Sequence, residues 1–195
     1  MLVKISKLCL SVVLFLCLVF VAYARSAPPR EGAEMPQFKL PVPESKIDRK
    51  YLGIADKKAD FTVSDINADV VIAEIFSMYC PHCQRSAPDV NKLYEDIQKN
   101  PALKDRVKIF GIGIGNSQYE IDFFKKKYNI PFPLIPDGEF KLYKEIGVKR
   151  TPYFIAVKLM KDGKSKVFYS KPGGFDSHKK FLEMIIRLSG LKYSK

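Results

Sequence analysis

The chain's 195 residues hold one domain with at most a short appendage, and a 47% hydrophobic content can fill a single core. A formal charge of +12 suits anionic membrane surfaces or acidic clients. The lysines are scattered, however, and the densest run (Lys125, Lys126, Lys127) falls on a predicted helix as a solvated basic face, while no nucleic-acid-binding motif is present.

Residues 1–24 read as a segment apart from the fold. Lys4 and Lys7 precede an apolar stretch over 8–21, and Ala22-Tyr23-Ala24 offers small residues for cleavage after Ala24, the pattern of a secretory signal. Because 8–24 is only slightly short for a membrane span, an uncleaved anchor is the alternative. Phe15 and Leu16 are too bulky to make Cys17 a good lipobox cysteine. Cleavage would remove Cys9, Cys17, Lys4 and Lys7, leaving a charge of +10 (31 basic against 21 acidic residues) and two cysteines, Cys80 and Cys83.

Residues 25–35 are polar and proline-bearing, the mark of a flexible leader. Alternating apolar residues predict a short strand over 35–40, which Pro41 and Pro43 break. Residues 51–54 and 59–63 are expected to form an edge hairpin, with a turn starting at Ser64 and Asp65. The β-branched run over 70–76 predicts a central strand buried on both faces. A helix follows with Pro81 in its first turn and an apolar stripe at Ala87, Val90, Leu93, Tyr94 and Ile97; Pro88 should kink it, and Asn100-Pro101 closes it. Residues 107–114 form a second buried strand and 117–128 a helix. A short strand over 132–135 and a helix over 140–146, ended by Gly147, come next. Residues 153–159 and 166–169 are expected to pair as a hairpin, and 177–188 to form the last helix. The aromatic pairs Phe123-Phe124 and Tyr153-Phe154 read as core, His178 as a surface residue, and Gly173-Gly174-Phe175 as a turn. Strands that alternate with helices, then a hairpin and a helix, indicate an α/β sandwich around a mixed sheet.

The chemistry concentrates in Cys80-Pro81-His82-Cys83, at the junction of the central strand and its helix. A bridge closing so small a loop constrains the unfolded chain little, so the pair is read as redox-active rather than stabilising. Cys80 stands at a helix N-terminus, where unpaired backbone N–H groups favour an anion, and His82 can add positive charge or a hydrogen bond toward the sulfur. Both effects lower the Cys80 pKa into the roughly 3.5–7.5 range of such sites, and a stabilised thiolate makes the disulfide more oxidising. Cys83, further into the helix, is the expected resolving thiol. Glu74 is an unexpected acid within an apolar strand: either a buried carboxyl that exchanges a proton with Cys83, or an edge residue reaching solvent.

These residues resemble the thioredoxin superfamily. The strand–CxxC–helix unit is its signature, Pro88 lies where the family's first long helix is typically kinked, and Val148-Lys149-Arg150-Thr151-Pro152 resembles its cis-proline loop. Residues 74–83, including the acid six positions before Cys80, look like the active site of DsbA-type oxidases. The scaffold is instead similar to TlpA and peroxiredoxin-like proteins, through its leader strand, the stretch over 132–137 and a short inserted helix; the sizeable helical insertion of DsbA proteins has no room here. The resemblance implies a thioredoxin-like α/β fold over 36–195, a mixed central sheet flanked by helices, and an N-terminal strand or hairpin extension. It implies a cis Thr151–Pro152 bond beside the disulfide, with an edge for client chains. Tyr79 either lines a client groove or packs as an ordinary aromatic.

The implied activity is thiol–disulfide exchange with cysteine-bearing client proteins, with the Cys80–Cys83 disulfide as the redox group, no added cofactor, and a separate redox partner, soluble or membrane-bound, that resets it. The implied location is outside the cytoplasm, in a bacterial periplasm. The CPHC motif argues for an oxidising bias, and the TlpA-like scaffold for a reductant such as those of cytochrome c maturation. A copper chaperone would use Cys80, Cys83 and a histidine as soft ligands, but beyond the motif only His178 is available. A peroxidase would want a proline where Ala73 stands, although Ser77 fits the hydroxyl position before Cys80. A binding module with an idle CxxC would survive loss of both cysteines.

Overall fold

The structure, a computed structural model, describes residues 27–54, 57 and 59–192. The expected signal or anchor over 1–24, with Cys9 and Cys17, lies outside the described residues. Among the described residues, no helix is long and apolar enough to cross a membrane.

Five strands form the main sheet in the order β5-β4-β3-β6-β7: β3 (Val70–Phe76), β4 (Val107–Ile114), β5 (Leu134–Asp137), β6 (Tyr153–Leu159) and β7 (Ser165–Pro172). β3, β4 and β5 run parallel, whereas β6 is antiparallel to β3 and β7 to β6. This is the α/β thioredoxin-like fold with a mixed central sheet. Every residue of β3 and β4 is buried, as strands in the middle of a two-faced sheet must be. Period-two alternation sorts β3: Val71, Ala73 and Ile75 join one hydrophobic cluster, Val70, Ile72 and Phe76 the other.

The second cluster is covered by α2 (Pro81–Lys99) and α5 (His178–Ser189), which contribute Ala87, Val90, Leu93 and Ile97 from one helix and Phe181 and Ile185 from the other. Each large apolar side chain so buried contributes roughly 1.5–3 kcal/mol before entropy is subtracted. Pro88 lies inside α2, and the helix continues past it to Lys99. α3 (Gln118–Lys127) sends Ile121 and Phe124 into the same cluster. α4 (Lys141–Ile146) adds Leu142 and Ile146 to the first.

The N-terminal region departs from expectation. The short strand over 35–40 reduces to β1 (Leu40–Pro41), which pairs antiparallel with β2 (Asp60–Phe61). Between them lies α1 (Lys46–Leu52), whose last two residues fall in the strand expected over 51–54; Ser45 caps it by accepting the Asp48 N–H, and Gly53 ends it in the left-handed region. The two-strand extension therefore exists, with a helix inserted in its connection. The leader is tied down rather than loose over its last residues. The Gly32 N–H donates to the Val167 carbonyl (2.8 Å), Met35 N–H to the Ser165 carbonyl (2.9 Å), and Val167 N–H to the Ala33 carbonyl (2.9 Å). The exposed edge of β7 offers these groups, and burial of Met35 secures the segment.

Two side chains expected elsewhere are also placed. Phe123 is 48% exposed, because only Phe124 of that pair lies on the inner face of α3. His178 is half-buried, its Nε2 3.4 Å from Asp96 Oδ2.

Candidate active site

The site is built at one end of the sheet, where β3 ends and β6 begins. Cys80 is the N-cap of α2: its Sγ accepts the Cys83 N–H at 3.3 Å, and Pro81 occupies the first helical turn, where no N–H is needed. On its other side the Cys80 thiol donates to the Thr151 carbonyl at 3.4 Å. The Thr151–Pro152 bond is cis. Cys80 is half-buried and Cys83 fully buried, and both are free thiols.

Their environments pull the two thiols apart. Partial burial of Cys80 opposes ionisation, but hydrogen bonds from the Cys83 and Thr151 side chains and from the N–H groups of Cys83 and His82 outweigh it, and the thiol is held below its ordinary value. Burial drives Cys83 well above the ordinary thiol range, with a hydrogen bond to Cys80 and the Glu74 charge adding to the effect. His82 thus reaches the reactive sulfur through its backbone. Its imidazole is exposed, with Nδ1 2.9 Å from an Arg85 guanidinium nitrogen.

Glu74 is only 5% exposed and lies at the centre of the sheet, opposite Gly111 on β4 and Phe154 on β6. The edge reading is thereby excluded. Alternation places it on the same face as Ile72 and Phe76, beneath the helix that carries Cys83. Burial, with repulsion from Cys80 as the lesser cause, pushes its carboxyl up to about 8. Electrostatic coupling to both sulfurs puts all three groups in one site.

Tyr79 is 65% exposed and its hydroxyl donates to the Glu120 carboxylate, so it is not a packing aromatic. Two residues that pattern reading missed hold the turn before Cys80. The Asn116 side chain, wholly buried, accepts the Met78 N–H through Oδ1 at 2.9 Å, and Gln84 donates to the Met78 carbonyl at 2.7 Å. Gly113 makes room for the amide: a Cβ there would sit 3.1 Å from Asn116 Oδ1 and 2.3 Å from Ile121 Cδ1. A signal for this junction was present in Ser117-x-x-Glu120, a capping box that the structure forms at the start of α3. Among the described residues, no group of three or more His, Cys, Asp or Glu side chains could hold a metal ion.

A family model described as the AhpC/TSA family matches residues 32–169, more than half of the chain. The thiol-disulfide oxidoreductase ResA of Geobacillus thermodenitrificans is 24% identical over 148 residues, which is 71% of this chain and 81% of ResA. Among solved structures, StoA from Bacillus subtilis aligns over 64% of this chain and 87% of its own, with 19% identity and a TM-score of 0.51. A secreted disulfide oxidoreductase of Mycobacterium tuberculosis, described as homologous to Escherichia coli DsbE, covers 80% of this chain and 96% of its own, with 19% identity and a TM-score of 0.53. These structural likenesses speak for the thioredoxin-like fold; the extent of the family match means that the chain belongs to the AhpC/TSA family, and with the paired thiols and the ResA relationship it is a thiol–disulfide oxidoreductase similar to ResA.

Proposed function

We propose that the protein reduces disulfides in exported client proteins, in the manner of a TlpA-like reductant. The observation that carries the exchange chemistry, though not its direction, is the opposed tuning of two adjacent thiols, Cys80 at the helix N-terminus held below its ordinary pKa and Cys83 buried behind it and far above, with the buried Glu74 carboxyl between the sheet and the helix. The Cys80 thiolate attacks one sulfur of a client disulfide. An S–S bond forms between Cys80 and the client, and the client's second sulfur leaves as a thiolate and takes a proton from solvent. Cys83 then gives its proton to Glu74 in its ionised form and attacks Cys80, closing the Cys80–Cys83 disulfide and releasing the client's first sulfur as a thiolate, which takes a proton from solvent. The client gains two electrons and the enzyme loses two; a separate redox partner restores the dithiol. Thr151 and Pro152 border the sulfur where a client backbone would lie, and Tyr79 stands exposed on the opposite side.

The ResA relationship and the TlpA-like scaffold support the reducing direction. A second reading, an oxidising bias like that of the DsbA-type CPHC motif, draws support from the hydrogen bonds that stabilise the Cys80 thiolate. The reduction potential of the Cys80–Cys83 pair decides. A value near the roughly −270 mV of thioredoxin is expected, and one near the roughly −120 mV of DsbA would replace the reductant by an oxidase. We place the activity outside the cytoplasm, with residues 1–24 as signal or anchor and 36–195 as the catalytic domain.

A further inference from the structure

The groove beside Cys80 is electrostatically unfinished. It opens between the first turns of α2, the loop over 150–152 and the connection from β7 to α5, and encloses about 550 Å³. Arg85 and Arg150 both line it, together with Thr151, Phe175, Asp89 and Asp176. The two arginines are exposed, and among the described residues neither has a carboxylate within ion-pair distance. Asp89 is taken by Lys92, whose Nζ lies 3.3 Å from it. Arg85 is steadied without being neutralised, because its partner is a lone pair on His82 Nδ1, 2.9 Å away. The two carboxylates of the groove, Asp89 and Asp176, thus both stand beyond ion-pair distance of either guanidinium, and Thr151, whose carbonyl accepts from the reactive sulfur, lines the same groove.

We propose that this groove selects client segments that carry a carboxylate side chain close to the exchanging cysteine. The inference rests on the exchange reaction proposed above and adds the class of substrate. A guanidinium fork matches a carboxylate bidentately, which a lysine would not do as well. The energetic return is greatest beside a half-buried sulfur, where a client backbone already excludes water from one side. An acidic client residue would complete the charge pattern that the chain leaves open. A basic residue at the same place would meet two cations.

The test uses the full chain, prereduced, and three short peptides with one internal disulfide that differ only in Glu, Gln or Lys beside the first cysteine. Second-order rate constants for peptide reduction are divided by the Cys80 thiolate fraction of each protein, so that altered sulfur reactivity is removed. We expect the order Glu, Gln, Lys, with about tenfold between the ends at low ionic strength. The ratio should shrink as salt is raised. Arg85→Gln should reduce it, and Arg150→Glu should invert the order. Equal rates for the three peptides, or an order untouched by Arg150→Glu, would overturn the proposal. Exchange with none of the peptides, in a protein whose Cys80 still alkylates rapidly, would remove the exchange reaction itself and this inference with it.

Discussion

The two flanks of Cys80 are built on opposite plans. On one side the chain bonds to itself. Asn116 and Gln84 take the N–H and carbonyl of Met78, Tyr79 reaches Glu120, and Ser117 and Glu120 cap the helix behind them. On the other side lie the Thr151 carbonyl and a groove whose charges have few partners of their own. The difference teaches where a client can arrive. The sulfur is positioned from one side by bonds that the chain makes to itself, so the second side is free to bind without disturbing the first.

The strongest way to probe this arrangement is to alter what lies beneath both flanks. Glu74→Gln should slow the resolving attack of Cys83 by on the order of a hundredfold, and the mixed disulfide should accumulate in a quenched time course. An unchanged resolving rate would relieve Glu74 of its proton-transfer role. The same substitution has a signature in stability. The Glu74 carboxyl keeps its proton up to about 8 in the folded state, against an ordinary value of 4.5. Between those limits the native state binds a proton that the unfolded chain has released, so stability falls as pH rises, by up to about 1.4 kcal/mol per pH unit, and levels off above 8. Urea unfolding from pH 5 to 9 should show this slope in the wild type and lose it in Glu74→Gln.

An intermediate effect is expected from breaking the closed flank. Asn116→Ala leaves the Met78 N–H without its acceptor and should cost about 1–3 kcal/mol. It should also raise the Cys80 pKa, read by thiolate absorbance, because the turn that aims Cys80 at its N–H donors loosens. A loss of stability with an unmoved Cys80 titration would mean that the closed flank is scaffold only. The smallest effect belongs to Tyr79→Phe. Its bond to Glu120 is solvent-exposed, and removing the hydroxyl should leave the thermal unfolding midpoint essentially unchanged. A larger change would make that bond part of the clamp.

The central unit was legible because its signals are local and strong. A seven-residue apolar run with one misfit acid, a dithiol spacing and an amphipathic stripe together specify β3, the site and α2. The cis bond at Thr151–Pro152 was legible only through resemblance, since a lone X-Pro pair is ordinarily trans. Residues 51–54 were read as a strand, whereas 51 and 52 end a helix over 46–52 that Ser45 and Gly53 mark at its two ends; a seven-residue helix has too few turns to show a stripe. Asn116 and Arg150 could not be found by pattern at all. Each matters through what folding brings near it: Met78 from 38 residues away in one case, the groove beside Cys80 in the other. The backbone N–H of His82, which the helix start brings toward the sulfur, was not foreseen beside the imidazole.

The antiparallel placement of β6 against β3 has a practical consequence. Ile75 faces Tyr153, so one strand leaves the reactive end of the sheet where the other enters it, and the hairpin between β6 and β7 turns at the opposite pole. That turn is closed by its own backbone, from Met160 N–H to the Lys164 carbonyl at 2.8 Å, and Gly163 has open space around it. A fluorophore, an affinity handle or a surface tether attached there would report on the molecule, or hold it, while leaving the sulfur's doorway unobstructed.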